Sequence, residues 1–238
     1  MITSGDRIVS AFNSADSFEL IVNGGTYTGG YTFIIGAKSG NSGTMAVEFT
    51  NAVINATGPA IWLSYGQMDT ALIRGCTITG STGIYCATFG GERSSTVTVD
   101  ESKNITSKAA AILYNNTVTA TAADESALEI KSGSVEVIGG KYSAPGFSAD
   151  ATDVNGNGTG AGCATIVINN KYCASGNVNS VDVKITDAEV INNTKEDAPI
   201  LVVAAPSVTG KNISLVMDRN YGVEIGLGSS SSAVDVSA

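Results

Sequence analysis

The chain contains no histidine. Serine–histidine triads and histidine-bound zinc sites are therefore excluded, because each needs an imidazole as base or ligand. Charge is scarce as well: charged residues make up 15% of the 238, with 13 basic against 22 acidic and a formal net charge of −9. The basic residues are scattered along the chain. That argues against nucleic acid as a partner, since affinity for phosphate backbones rests on concentrated Lys and Arg. No apolar run reaches the roughly eighteen residues of a membrane-spanning helix, so no direct membrane insertion is expected. The opening Met1-Ile2-Thr3-Ser4-Gly5-Asp6 lacks the basic and apolar regions of a signal peptide. Any targeting sequence is expected outside this stretch, in a larger multidomain chain.

What is present is a strand-and-turn palette. Only 4 residues are Pro, whereas 28 are Gly and 43% are hydrophobic, and Thr, Ser, Asn and Val recur throughout. Four cysteines form two pairs of equal separation, Cys76 with Cys86 and Cys163 with Cys173. Neither spacing is that of a metal knuckle, which leaves two readings: small core residues, or disulfides in an oxidising compartment. Glycosylation sequons at Asn55, Asn104, Asn115, Asn157, Asn192 and Asn212 carry weight only in a secreted eukaryotic protein.

Short strand patterns recur in order. One is a small residue followed by apolar-x-apolar, as in Ala60-Ile61-Trp62-Leu63, Gly83-Ile84-Tyr85-Cys86, Ala111-Ile112-Leu113-Tyr114, Ala127-Leu128-Glu129-Ile130 and Gly222-Val223-Glu224-Ile225. A second is more polar, as in Val47-Glu48-Phe49, Leu72-Ile73-Arg74, Val97-Thr98-Val99, Val135-Glu136-Val137-Ile138 and Ile213-Ser214-Leu215-Val216. Third strands follow some of these, including Thr77-Ile78-Thr79, Asn104-Ile105-Thr106 and Lys141-Tyr142-Ser143. The interval from Ile61 to Ile84 is 23 residues and that from Ile84 to Ile112 is 28. A repeat of about 20 to 30 residues with two or three short strands is what a solenoid coil requires, because each coil buries its inward residues only against its neighbours.

The expected fold is all-β, one right-handed parallel β-helix of about seven irregular coils. The single domain spans 1–238, with its core over about 15–228, a long loop insertion at 143–162 and a Ser-rich tail at 228–238. Alternation along the strands places Ile61 and Leu63 inward, which directs Trp62, Tyr85, Glu129 and Glu224 to the surface.

These segments, Val135-Glu136-Val137-Ile138-Gly139-Gly140-Lys141-Tyr142-Ser143 above all, resemble the right-handed parallel β-helix superfold of pectate lyases, and more closely the repetitive β-helices of bacterial surface proteins and adhesins. The pectate lyase resemblance implies a polysaccharide-cleaving groove with an acidic calcium cluster and an arginine base; Arg7, Arg74, Arg93 and Arg219 are the arginines available, no motif makes any of them catalytic, and Arg74, near Asp69, and Arg93, beside Glu92, are ligand-binding candidates. The acidic pairs Asp100-Glu101 and Asp124-Glu125 lack the histidine that accompanies such carboxylates in polygalacturonase-like hydrolases.

Two binding candidates come from the residues themselves. Trp62 and Tyr85, with Leu113 on the coil beyond and Tyr65 and Phe89 just past the strands, would form an aromatic strip for sugar rings or a partner. Asp153, Asn155 and Asn157 alternate like the first half of a calcium loop, with Gly158 at the sixth position. Ala164 stands where the bidentate carboxylate belongs, so an Asn/Gly-rich turn is the competing reading and no cofactor is required. The Thr-x-Thr pairs, such as Thr77/Thr79 and Thr117/Thr119, are explained by β-propensity. The expected function is a non-catalytic extracellular or cell-surface module, structural or adhesive, contacting a polysaccharide or a host glycoprotein. A polysaccharide lyase or glycoside hydrolase acting on acidic polysaccharide is the alternative.

Overall fold

A computed structural model of the chain describes residues 1–14, 17–37, 45–64, 70–87, 97–99, 105–107, 111–122, 125–130, 133–145, 164–169, 181–192, 200–203, 207–211, 214–216, 223–225 and 234–237. Every regular element among them is a strand. Three parallel sheets of eight strands each account for all but one hairpin, and the chain visits the sheets in the same order throughout. The strands Val53–Ala56, Ile61–Ser64 and Thr70–Arg74, for example, belong to the first, second and third sheet in turn. This arrangement is compatible with a parallel β-helix, and its eight strands per sheet compare with the seven or so coils counted from the sequence pattern.

Stacking in register explains why the core is apolar in columns. Along the first sheet Ile54, Ile78, Val118 and Tyr142 succeed one another. Along the second, Phe33, Ile61, Ile84, Leu128 and Ile166 do the same, and along the third Phe49, Ile73, Leu113, Val137 and Ile185. All are at most 1% exposed. Each such aliphatic side chain contributes roughly 1.5–3 kcal/mol through removal from water, but only when the coil above and the coil below are both in place.

One corner of the solenoid is invariant. Between the third and first sheets the chain turns in two residues, and the first has a positive φ wherever it is described: Gly24 (67°), Asn51 (53°), Gly75 (60°), Asn115 (48°), Gly139 (62°) and Asp187 (56°). Only Gly, Asn and Asp occupy the column, the residue types that tolerate a left-handed backbone. The ladder of hydrogen bonds continues around this corner, as in Asn51 N–H to the Arg74 carbonyl (2.9 Å) and Gly75 N–H to that of Tyr114 (2.9 Å). Just inside it, Asn116 is fully buried: its amide donates to the Ile73 carbonyl (2.8 Å) and its oxygen accepts from Cys76 N–H (2.9 Å).

Several sequence-based assignments shift. Ala111–Tyr114 is a strand of the third sheet, paired with Ala71–Arg74 and Val135–Ile138. The in-register successor of Ile84 is therefore Leu128 and not Ile112. Leu113 is a core residue of another sheet and no part of an aromatic strip. Val97–Val99 and Ile105–Ser107, expected as two coil strands, pair antiparallel in a hairpin. Ser214–Val216 lies in the first sheet and not with the polar second-type strands.

Candidate functional site

The second sheet carries the aromatic residues on its outer side. In register from coil to coil run Ile34, Trp62, Tyr85, Glu129 and Val167. Their strand neighbours Ile61, Leu63, Ile84, Cys86, Leu128 and Ile130 join the core cluster, while these five do not. Alternation thus assigns the faces as expected, since successive Cβ atoms point to opposite sides of a sheet.

Exposure does not follow. Tyr85 is 3% exposed, Glu129 is fully buried, and Ile34 and Val167 are also buried. Outward-pointing and solvent-facing are different properties here. For Tyr85, Glu129 and Val167 the burial coincides with the longest connections flanking the second sheet, 88–110 after Tyr85 and 145–165 before Val167, whereas Ile34 is buried between the short connections Gly30 and 38–44. The expectation of Tyr85 and Glu129 at the surface is corrected accordingly. The side chain of Glu224 lies outside the described residues.

Of these five, Trp62 alone is not among the buried residues. Trp62 is half-buried, its ring 5.4 Å from that of Tyr85 at 80°, an edge-to-face contact that fixes the indole and orients it. On its other side stands Tyr31, 38% exposed, with ring centroids 6.5 Å apart and planes inclined by 33°. Tyr31 pairs in register with Arg7 on the preceding coil, whose half-exposed guanidinium is 4.0 Å from the Asp6 carboxylate. The accessible surface is therefore an aromatic ledge of Tyr31 and Trp62 backed by Tyr85, with a cation at one end. Tyr31 was not found from the sequence because it is not in register with Trp62, whose partner on that coil is Ile34. It reaches the indole diagonally from just outside the repeating strand.

Arg74 sits at the end of a third-sheet strand, between Thr50 and Tyr114 in register, on a different sheet from Trp62 and Tyr85. The structure does not bring it to the aromatic ledge. Tyr65, Phe89, Arg93, Asp153, Asn155 and Asn157 lie outside the described residues, as do Cys163 and Cys173. Among the described residues no group of three or more His, Cys, Asp or Glu could hold a metal ion, and no helix is long and apolar enough to cross a membrane.

Cys76 and Cys86 are free thiols buried in the core, which decides that pair in favour of core packing. Desolvation raises both, Cys86 to about 12. The same burial lifts the Tyr142 phenol far above its ordinary range, against the opposing influence of the Asn116 side chain. These groups stay neutral and inert at physiological pH.

Outside the second sheet, charged side chains pair from coil to coil. Lys184 Nζ is 2.8 Å from Glu136 Oε1 on the third sheet, and Lys141 Nζ is 3.5 Å from Glu189 Oε1 on the first. Such exposed pairs contribute about 0–1 kcal/mol. Comparison with protein-family models, with curated proteins and with solved structures finds no match for the chain.

Proposed function

We propose that the chain is a right-handed parallel β-helix acting as a structural and adhesive module of an extracellular or cell-surface protein, in the manner of repetitive bacterial surface proteins. In this reading it contacts a polysaccharide or glycoprotein glycan through Tyr31 and Trp62. Right-handedness is what parallel crossover connections adopt almost without exception. The observation that carries the binding role is the Tyr31–Trp62 ledge, a pair of accessible rings at 6.5 Å beside an outer column in which Ile34, Tyr85, Glu129 and Val167 are buried. Apolar sugar faces stack on such rings, and the rigid edge-to-face backing by Tyr85 limits the entropy lost on binding.

Trp62 is the only tryptophan, so its fluorescence reports on this ledge alone. Titration of the wild type with a panel of neutral and acidic oligosaccharides is expected to shift or quench the emission, and in calorimetric titration, which needs no tryptophan, Trp62→Ala and Tyr31→Ala should each weaken binding about tenfold, the loss of about 1.4 kcal/mol. Binding that survives both substitutions unchanged, or a panel with no binder, contradicts the proposal.

A further inference from the structure

The ledge of Tyr31 and Trp62 lies between charges of opposite sign. At one end Arg7 pairs in register with Tyr31. The Asp6 carbonyl beside it accepts from both Gly30 N–H (2.6 Å) and Tyr31 N–H (2.9 Å), which ties the backbone that carries the guanidinium to the backbone that carries the phenol ring. That placement rests on pairing with the coil of Tyr31, and residues ahead of Met1 would leave it unchanged. Gly58 on the next coil sets the ring itself: a Cβ there would stand 3.4 Å from two atoms of the Tyr31 ring, so the ring rests against bare backbone. At the other end Thr82, just before the strand of Tyr85, donates to the Glu125 carboxylate.

Arg7, Tyr31 and Trp62 belong to three successive strands of the second sheet. The backbone of Arg7 therefore lies two strand spacings, about 10 Å, from that of Trp62. That is close to the length of a disaccharide. Arg7 meets the Asp6 carboxylate at 4.0 Å, and the two side chains are 48% and 75% exposed. An exposed pair at this distance is weak. A ligand carboxylate that meets the planar guanidinium with two hydrogen bonds can displace it.

We propose, resting on the glycan-binding role of Tyr31 and Trp62, that the ledge selects an acidic glycan, with a sugar carboxylate on Arg7 while that unit and its neighbour stack on the two rings. Charge sets the direction of the chain: Glu125 at the far end repels a carboxylate, so the acidic unit faces Arg7. A single acidic sugar is too short to reach from Arg7 to the indole, and the smallest tight ligand is a disaccharide.

The test is calorimetric titration with sialyllactose, a hyaluronan tetrasaccharide and trimannuronate, each beside its carboxyl-reduced, neutral form. At least one acid should bind the wild type about tenfold tighter than its neutral form, as a charge-assisted contact would give. Arg7→Gln should abolish that preference and leave the affinity for the neutral form unchanged. Arg7→Lys should restore it only in part, because an ammonium lacks the fork of the guanidinium. Asp6→Asn, which removes the competing carboxylate, should tighten binding of the acid alone. Lys184→Gln makes the same charge change on the third sheet, where Lys184 pairs with Glu136 (2.8 Å), and should leave the preference intact. Equal affinity for acid and neutral forms in the wild type, or a preference that survives Arg7→Gln, would overturn the acid selectivity and leave glycan binding standing. Absence of binding by every form, acidic and neutral, would overturn the glycan-binding role itself and the selectivity with it.

Discussion

The corner between the third and first sheets and the two corners that flank the second sheet follow opposite rules. At the first, the chain turns in two residues wherever the turn is described, from Gly24-Gly25 to Asp187-Ala188. At the others the connection ranges from the single residue Gly30 to the stretch 88–110. The difference teaches where this fold is specified. A two-residue turn with a left-handed first position admits few residue types and no change of length. The flanking connections leave the stacking register untouched however long they grow, because loop length costs little once the ends are fixed. The sheet between the two permissive corners is also the one that carries the aromatic ledge.

The largest predicted break in that comparison is Gly140→Ala. Its φ is 90°, and a Cβ there would lie 2.5 Å from the backbone carbonyl oxygen of Asn116 on the adjacent coil. Backbone cannot swing aside as a side chain can, so a loss of about 3 kcal/mol or more is expected in urea unfolding. Asn116→Ala comes next, at about 2 kcal/mol, because it strands the buried Cys76 N–H and the Ile73 carbonyl.

Gly139→Ala is expected to cost about 1–2 kcal/mol for its positive φ. Its Cβ also meets the Asn115 side-chain oxygen at 2.0 Å. That oxygen can move, so Asn115→Gly in the same chain should recover part of the loss and isolate the steric share.

The effect that vanishes at neutral pH comes from a buried thiol. Cys86 is raised from 9.0 to about 12 in the folded protein. A group raised by folding contributes stability that is complete below its unfolded value and is lost as pH climbs towards the folded one. Stability should therefore decline between about pH 9 and pH 12, and less steeply in Cys86→Ala. In the native state at pH 8, Cys86 should resist alkylation, as peptide mass mapping would show.

Much of this architecture is legible in the sequence, though not where the eye first goes. The strands Ile61–Ser64 and Ile84–Ala87 declare their faces because polar or aromatic and aliphatic residues alternate cleanly. Ala111–Tyr114 does not: three apolar residues in succession fit either sheet, and only its partners Ala71 and Val135 decide. The invariant corner is the better ruler. Asn51 to Gly75 and Asn115 to Gly139 are each 24 residues, and the interval lengthens only where a flanking connection is long, to 40 from Gly75 to Asn115 and 48 from Gly139 to Asp187, so the column of Gly, Asn and Asp marks the coils where strand patterns blur. Burial at the candidate site was not legible in the same way. Alternation fixes which way Tyr85 and Glu129 point, but not how deeply they are buried. Tyr31 escaped because its contact with Trp62 is diagonal and follows no period.

The central claim is that one corner sets the coils while the other two are free. It is tested most directly by inserting the same Gly-Ser dipeptide at two places and measuring urea unfolding of each variant. Placed between Asn115 and Asn116, the insertion should cost several kcal/mol and broaden or abolish the cooperative transition, since it displaces the buried amide of Asn116 and interrupts the ladder. Placed between Ala122 and Ala123, clear of Ser126 and Ala127, which are buried and accept from Gly83 N–H (3.2 Å) and Ile84 N–H (2.8 Å), it should change stability by less than about 1 kcal/mol. Equal losses at the two sites would contradict the account.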